Sequence, residues 1–132
     1  MTKYCAFNCT RQTLVASELE VAETAWSRMK GLLGRSAKDF CNGKGLWIVP
    51  SDGIHTIGMS FPIDVVYLDS KRRVIRTYHR LAPFRIAAVK LRARSILELP
   101  PGALAESRTE VGDLLQFLVS EEERGVACAV NT

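Results

Sequence analysis

The segment with the clearest potential for chemistry runs from residue 53 to residue 64, and it contains both a histidine and an acid. His55 lies in a glycine-flanked loop, and histidine changes charge close to neutral pH. Asp64 is an acid beside four apolar residues, so it must face solvent at a sheet rim or be buried with hydrogen-bond partners. A histidine and a carboxylate so close in sequence can supply acid–base chemistry or a polar binding site.

Two interpretations of Asp64 are open. In the first, Asp64 is a general base or an anchor for a cationic ligand, and His55 is its titratable partner. In the second, Asp64 is structural and accepts hydrogen bonds from backbone N–H groups or from an arginine such as Arg28 or Arg35. Thr56 and Met59 lie in the same block and would contribute to a site built there.

The elements that must position this block are mostly strands. Short apolar runs bounded by turn residues predict strands over residues 13–16 and 19–22 (two strands or one bent one), 45–50, 63–68, 74–80, 95–99 and 112–119. One helix is predicted over residues 25–33, with Thr24 as N-cap and Gly34 as its stop signal. This pattern predicts a mainly β, single-domain fold with a β-sandwich, jelly-roll-like or barrel-like core and one short N-terminal helix.

Length and composition favour one globular domain. The chain has 132 residues, of which 47% are hydrophobic and 24% charged, and this excludes a largely disordered protein. We expect one domain over residues 1–132, with a core over about 11–119 and a frayed tail over 120–132. No apolar run approaches the roughly 18 residues of a membrane span, and no apolar signal segment precedes Arg11, so we expect a cytoplasmic protein without a membrane span.

The four cysteines do not form a metal-binding pattern. Cys5 and Cys9 are spaced C-x3-C, with no second pair and no histidine nearby. A chain of this length can be stable without disulfides. We therefore expect Cys5, Cys9, Cys41 and Cys128 to be free thiols in a reducing compartment.

The net charge of +4 is unevenly distributed. Residues 70–97 contain nine Lys and Arg and no acid, whereas residues 98–132 contain seven acids and two basic groups. The basic segment could attract nucleic acid or another polyanion, or it could be a solvated strand face that pairs with the acidic C-terminal part. Only Tyr78 and Phe84 are interleaved with the basic residues for stacking on bases, so nucleic acid is the less favoured partner.

Four blocks of the sequence resemble the bacterial and archaeal family called domain of unknown function 192, or uncharacterised protein family 0127. They are residues 28–35, which follow the pattern R-x-x-G-L-x-G-R, residues 45–50, residues 55–64, and residues 96–102 continuing to 112–113. The resemblance covers about residues 11–119 and implies a small β-rich domain with a sandwich or jelly-roll-like core. It implies no reaction, cofactor or substrate. Many relatives have a cysteine after the position of Pro50, where this chain has Ser51, which argues against a common thiol chemistry.

The matching blocks define the candidate site. Their acids are Asp64, Glu98 and Asp113, and an arginine in the first block can reach a carboxylate. A metal site of the jelly-roll kind needs several histidines, and this chain has two, so we expect no metal. The candidate binding or functional residues are Arg35, His55, Thr56, Met59, Asp64, Glu98 and Asp113.

The leading hypothesis is a non-catalytic binding or accessory domain for an unknown small molecule or protein partner, without a cofactor. Its polar site would lie at the loop from His55 to Asp64, bordered by Arg35 and the turn at 99–102. The alternative is an acid–base hydrolytic or transferase-type enzyme that uses His55 and Asp64. A third hypothesis is anion or nucleic-acid binding through residues 71–94. No nucleophile elbow, P-loop or dinucleotide fingerprint is present.

Overall fold

The strands of this protein form one sheet. The computed structural model describes residues 4–24, 27–28, 31–53, 59–85 and 92–119. In chain order the elements are β1 (Tyr4–Asn8), β2 (Thr13–Ala22), β3 (Lys44–Ile48), β4 (Ile63–Leu68), β5 (Val74–Leu81), β6 (Ser95–Leu99), α1 (Ala103–Ser107) and β7 (Leu115–Leu118). The strand order across the sheet is β5-β4-β6-β3-β2-β1-β7. The mainly β prediction is confirmed.

The sheet curls because its two edge strands meet at one end. Arg73, just before β5, forms an antiparallel bridge with Leu114, just before β7. The Val74 N–H donates to the Asp113 carbonyl at 2.8 Å, and the Leu115 N–H donates to the Arg72 carbonyl at 3.0 Å. The result is a half-barrel joined at this end, which corresponds to the barrel-like form of the prediction. The sandwich and jelly-roll forms are not confirmed.

The central strands are buried on both faces. One apolar cluster takes residues from all seven strands and from α1, so it fills the inside of the half-barrel; Val66, Leu97 and Leu115 belong to it. We call it the inner cluster. The outer cluster lies on the other face of the same strands and includes Ile63 and Val65. Burial on both faces explains why β4 is apolar at every position except Asp64 rather than alternating between polar and apolar residues.

The outer cluster is covered by the segment between β2 and β3. These strands pair in parallel, from Glu18 opposite Lys44 to Ala22 opposite Ile48. Parallel neighbours cannot be joined by a tight turn, so residues 23–43 must cross back over the sheet. Within this crossover segment, Leu32 and Phe40 are buried in the outer cluster and Leu33 packs against it. The R-x-x-G-L-x-G-R block therefore serves as part of the cover of the outer face.

The predicted N-terminal helix is not confirmed over its predicted length. Ser27 and Arg28 are helical, and the Ser27 N–H donates to Thr24 Oγ1 at 3.0 Å, as expected of an N-cap. Residues 25–26 and 29–30 lie outside the described part. Gly31 has φ of +49°, a left-handed conformation that ends a helix before residues 32–33. The helix with defined bounds is instead α1, on the C-terminal side of the chain.

Other predictions differ from the structure in smaller ways. Residues 13–22 form one strand, β2, whose pairing with β1 is irregular. The strand β1 was not predicted. The last predicted strand is shorter, since β7 begins at Leu115. The predicted frayed tail, residues 120–132, lies outside the described residues, and the single-domain boundaries stay a prediction.

The cysteines also differ from expectation. Cys9 is disulfide-bonded, so the prediction of four free thiols is wrong for this residue. Cys5 and Cys41 carry thiols outside any disulfide, and Cys128 lies outside the described residues. No helix within the described ranges is long and apolar enough to cross a membrane.

We predict that Gly45→Ala destabilises the sheet because the inner cluster has no room for a methyl group at that position. An added Cβ would lie 2.9 Å from Leu19 Cδ1, 3.1 Å from Ala16 Cβ and 3.3 Å from Leu99 Cδ2. The free energy of unfolding in urea should fall by about 1–3 kcal/mol. The same change should cost less than half as much in a Leu19→Ala background, where the closest contact is gone. Equal losses in both backgrounds would contradict this account.

Candidate functional site

Asp64 is a buried acid whose oxygens are occupied by backbone donors. Its side chain points to the inner face and is fully buried. Asp64 Oδ1 accepts a hydrogen bond from the Arg80 N–H at 2.9 Å, and Oδ2 accepts from the N–H groups of Gly102 at 3.1 Å and Leu104 at 2.9 Å. The Leu104 bond satisfies an orphan donor at the start of α1, as an N-cap side chain would. This contact pattern is the one that the structural interpretation describes.

Asp113 is a second buried acid with a full set of donors. Its Oδ2 accepts hydrogen bonds from Asn8 Nδ2 at 2.9 Å, Arg11 Nε at 3.1 Å and the Glu110 N–H at 3.0 Å. Burial by itself would raise the pKa of Asp113, but these hydrogen bonds outweigh burial and lower it. The stabilisation is therefore present above the ordinary aspartate range and is lost as the pH falls through the lowered pKa. Asp113 ties the β1–β2 turn to the loop before β7.

Glu98 is buried on the outer face without a hydrogen-bond partner at one of its oxygens. It lies on β6 between Leu46 of β3 and Val65 of β4. Only 4% of Glu98 is exposed, and its Oε2 has no hydrogen-bond partner within the described part of the chain. Burial raises the pKa of Glu98 to about 8, although the charge of Arg35 acts in the opposite direction. Unpartnered buried carboxyl groups are rare because they cost free energy.

The charge of Arg35 acts on Glu98, and the Arg35 guanidinium forms an ion pair with a second carboxyl group, that of Glu20. Its Nη1 and Nη2 donate to Glu20 Oε1 at 3.1 Å and Oε2 at 2.6 Å, which is a bidentate pair. Glu20 faces Leu46 across β2 and β3, so Glu20, Leu46 and Glu98 form one row across three strands. The hydrogen bond to Glu20 is the main cause of the raised pKa of Arg35; burial opposes it, and the charges of Glu98 and Asp39 add to it.

A glycine lies against the Glu98 carboxyl. A Cβ added at Gly31 would lie 3.9 Å from Glu98 Oε1, so the crossover segment presents backbone rather than a side chain to this oxygen. Met59 is buried in the outer cluster, and the following residue, Ser60, donates through its Oγ to the Arg35 carbonyl at 3.3 Å. The end of the 53–64 block and the 31–35 turn are thus joined beside Glu98.

The predicted site is divided by the sheet. Arg35, Met59 and Glu98 lie on the outer face, whereas Asp64 lies on the inner face because it pairs with Leu99 rather than with Glu98. Asp113 belongs to the separate cluster near the edge-strand junction. His55 and Thr56 lie outside the described residues. Among the described residues, no group of three His, Cys, Asp or Glu side chains could hold a metal ion.

Sequence reasoning missed Glu20 as a member of this group. Glu20 lies in a strand of alternating polar and apolar residues, where a glutamate normally faces solvent. Only the parallel register of β2 and β3 brings it into the same row as Glu98. No local signal in the sequence identifies that register.

Comparison with known proteins identifies the family. The model of domain of unknown function 192, described as "Uncharacterized ACR", matches residues 6–117. The chain belongs to this family. Members named as uncharacterised protein family 0127 proteins include one from Thermococcus sibiricus, 29% identical over 93% of this chain and 80% of its own length. Another, from Thermococcus gammatolerans, is 31% identical over 88% of this chain and 76% of its own length. This domain of unknown function 192 protein is therefore an uncharacterised small β-rich domain.

Two crystal structures share the fold of this domain of unknown function 192 protein. A protein of unknown function from Novosphingobium aromaticivorans superposes with a TM-score of 0.72 at 18% identity, over 86% of this chain and 83% of that one. A putative transcription regulator from Sinorhizobium meliloti also superposes with a TM-score of 0.72, at 16% identity, over 88% and 92% of the two chains. At these identities the comparison establishes the curled sheet alone.

We predict that Asp64→Asn lowers the free energy of unfolding by about 2 kcal/mol or more. An asparagine amide has one acceptor oxygen, so its NH₂ group would face an N–H donor and leave buried groups unpaired. Urea unfolding at neutral pH measures the loss. Asp52→Asn, at an exposed position, should stay within about 0.5 kcal/mol of the wild type. A similar small change for Asp64→Asn would show that the three N–H bonds contribute little.

We predict that Glu98 makes the protein less stable as the pH rises from about 5 to about 8. The folded-state pKa of about 8 lies above the unfolded value of about 4.3. Between these values the folded protein binds the extra proton, so stability falls by at most ~1.4 kcal/mol per pH unit and levels off above pH 8. Urea unfolding of Glu98→Gln should lack this component. Parallel pH profiles of the variant and the wild type would contradict the prediction.

Proposed function

We propose that this protein is a binding domain for a small molecule, and that its ligand binds at the outer face beside Glu98. The observation that carries the proposal is the buried Glu98 Oε2, which has no hydrogen-bond partner among the described residues. We call the surroundings of this carboxyl the Glu98 site, formed by Glu98, Arg35, Glu20, Gly31 and Met59. A polar group retained at a cost in stability, with a perturbed pKa, is typical of functional sites.

The contrast with the other buried acids supports this proposal. Asp64 and Asp113 each accept three hydrogen bonds, and those bonds join separate parts of the chain. Glu98 joins nothing through Oε2, and its strand neighbours on that face are Leu46 and Val65. A leucine at this position would fit the apolar row without an unpartnered acceptor. The packing of the sheet therefore gives no reason for an acid at position 98.

The site favours a small molecule over a protein partner. Because Glu98 is nearly fully buried, a flat protein surface cannot reach the carboxyl, whereas a small ligand can bury most of its own surface in a cleft. This refines the hypothesis of a site at the 53–64 loop. Met59 belongs to both descriptions, and His55 and Thr56 stay candidate residues from the sequence. The cytoplasmic location likewise stays a prediction.

The enzyme hypothesis based on His55 and Asp64 has less support. Asp64 already accepts three backbone N–H bonds on the inner face. To act as a base toward a substrate, its carboxylate would have to give up bonds that hold β5 and α1. The described residues therefore offer no observation that favours Asp64 as a catalytic group.

The basic segment also has less support as a nucleic-acid surface. The Arg72 guanidinium lies 4.8 Å from the Trp47 ring centroid, and Arg73 Nη1 donates to the Gly112 carbonyl at 2.7 Å. Arg76 lies over the Tyr78 ring at 4.6 Å. These arginines make contacts within the domain, with aromatic rings and a backbone carbonyl, and the pairing of this segment with the acidic C-terminal part stays a prediction.

Four compounds with the same unbranched four-carbon skeleton and different head groups test the proposal: n-butylammonium, butyrate, n-butanol and butyramide. In amide NMR titrations of the full chain, at least one should shift the signals of residues 31–35 and 98 saturably. Glu98→Leu should abolish these shifts and raise the free energy of unfolding by about 1–3 kcal/mol, because the unpartnered acid is gone.

A matched control is Glu18→Gln, at a glutamate on β2 whose ion pair with Lys44 is exposed. This variant should retain both the binding and the stability of the wild type, within about 0.5 kcal/mol. The proposal is wrong if none of the four compounds shifts the Glu98 site, or if Glu98→Leu binds them as well as the wild type does.

A further inference from the structure

We propose that the head group bound at the Glu98 site is an organic cation, a primary ammonium or a guanidinium carried on a short apolar chain. This inference rests on the proposed function and adds the chemical class of the ligand. It is carried by two independent observations: the unpartnered acceptor of Glu98 and the bidentate pair with Glu20 that already occupies the Arg35 guanidinium.

The charges around Glu98 favour a cation. The crossover segment contributes Arg35 and Asp39, and β2 contributes Glu20, so three carboxyl groups including Glu98 act on one guanidinium. The two strands that flank Glu98, β3 and β4, present apolar residues in its row, Leu46 and Val65. When Glu98 is ionised, these described residues carry a net negative charge around it, and a positive ligand complements that charge.

Arg35, the one cation named in the site from the described part of the chain, already pairs with an acid of the chain. Arg35 places both of its Nη atoms on Glu20, at 3.1 and 2.6 Å. A carboxylate or phosphate ligand would have to compete with this bidentate pair, and it would enter a region with an excess of acids. Asp39 is itself held by Ser36, whose Oγ donates to Asp39 Oδ2 at 2.9 Å, so it too is kept near the guanidinium. An anionic ligand is the poorer fit.

The hydrogen-bonding groups at Glu98 also favour a cation. Glu98 Oε2 lacks a donor, and ammonium and guanidinium groups carry only donors. A bond from such a group to an ionised carboxylate is charge-assisted and stronger than a neutral one. Leu46 and Val65 flank the acid in its row, and these side chains suit the hydrocarbon part of an amphiphilic amine.

Binding of a cation should release a proton. Glu98 is protonated at neutral pH because burial raises its pKa to about 8. When the ammonium group arrives with its own positive charge, the Glu98 carboxyl gives its proton to solvent, and the carboxylate pairs with the cation. No covalent bond forms. The net reaction is one cation bound and about one proton released at pH 7.

Isothermal calorimetry with n-butylammonium at pH 7 tests this coupling, in two buffers of different ionisation enthalpy. We expect saturable binding with release of about one proton. Glu98→Gln, which keeps the shape of the side chain but cannot ionise, should weaken binding at least about tenfold and abolish the proton release. Glu18→Gln, with its exposed ion pair, should behave as the wild type.

The outcomes separate the two proposals. If butyrate, n-butanol or butyramide binds at Glu98 and n-butylammonium does not, the cation inference is wrong and the Glu98 site stands. If none of the four compounds binds there, both proposals are wrong. Binding of n-butylammonium with equal affinity to Glu98→Gln, or without proton release in the wild type, overturns the cation inference.

Discussion

The parallel pairing of β2 and β3 is the constraint on which the outer face depends. The register from Glu18 opposite Lys44 to Ala22 opposite Ile48 places the end of one strand far from the start of the next. Residues 23–43 must therefore return across the sheet, and in doing so they cover the outer cluster with Leu32 and Phe40. An antiparallel pair could use a short turn, and the outer face of β6 would then lack this cover. The burial of Glu98 follows from this one connection.

The three buried acids show that environment, rather than residue type, decides what a carboxyl does. Asp64 and Asp113 lie where the chain offers several N–H donors, and each joins separate segments. Glu98 lies in the middle of a strand whose backbone donors and acceptors belong to the ladders with β3 and β4. The ladders leave no backbone N–H for its side chain. Two of these acids stabilise the fold, and the third is better explained by a ligand.

Asp64 also explains how so short a helix persists. An isolated helix of five residues is unstable in water, because the entropy lost in fixing its first turn outweighs the hydrogen bonds that one turn forms. In α1 the N-cap residue is Gly102, which has no side chain to offer. Asp64 of β4, remote in sequence, supplies the missing acceptor through its bonds to the Gly102 and Leu104 N–H groups. The same carboxylate accepts a hydrogen bond from the Arg80 N–H of β5, so one buried acid joins a helix end to an edge strand.

The sequence by itself determined the central elements and the family. The apolar run over residues 63–68 predicted β4, and the alternation over residues 95–99 predicted β6, both with the bounds that the structure has. The sequence left the role of Asp64 undecided between a functional and a structural one. A buried acid in an apolar strand needs hydrogen-bond partners, but the sequence does not show which residues they are. The sequence also singled out Glu98 and Arg35, although not as a group separate from Asp64.

Only the tertiary structure decided which of these residues share a face. Asp64 and Glu98 both lie in strands flanked by apolar residues, yet the β4–β6 register places them on opposite sides of the sheet. Strand pairing also decides the position of Glu20, which lies in the same row as Glu98 because both are paired with Leu46 of β3. Alternation along a strand separates two faces without saying which neighbour stands opposite, because register is set by pairing between distant segments. The short helix α1 was missed for a related reason: its N-terminal acceptor comes from β4, far away in the chain.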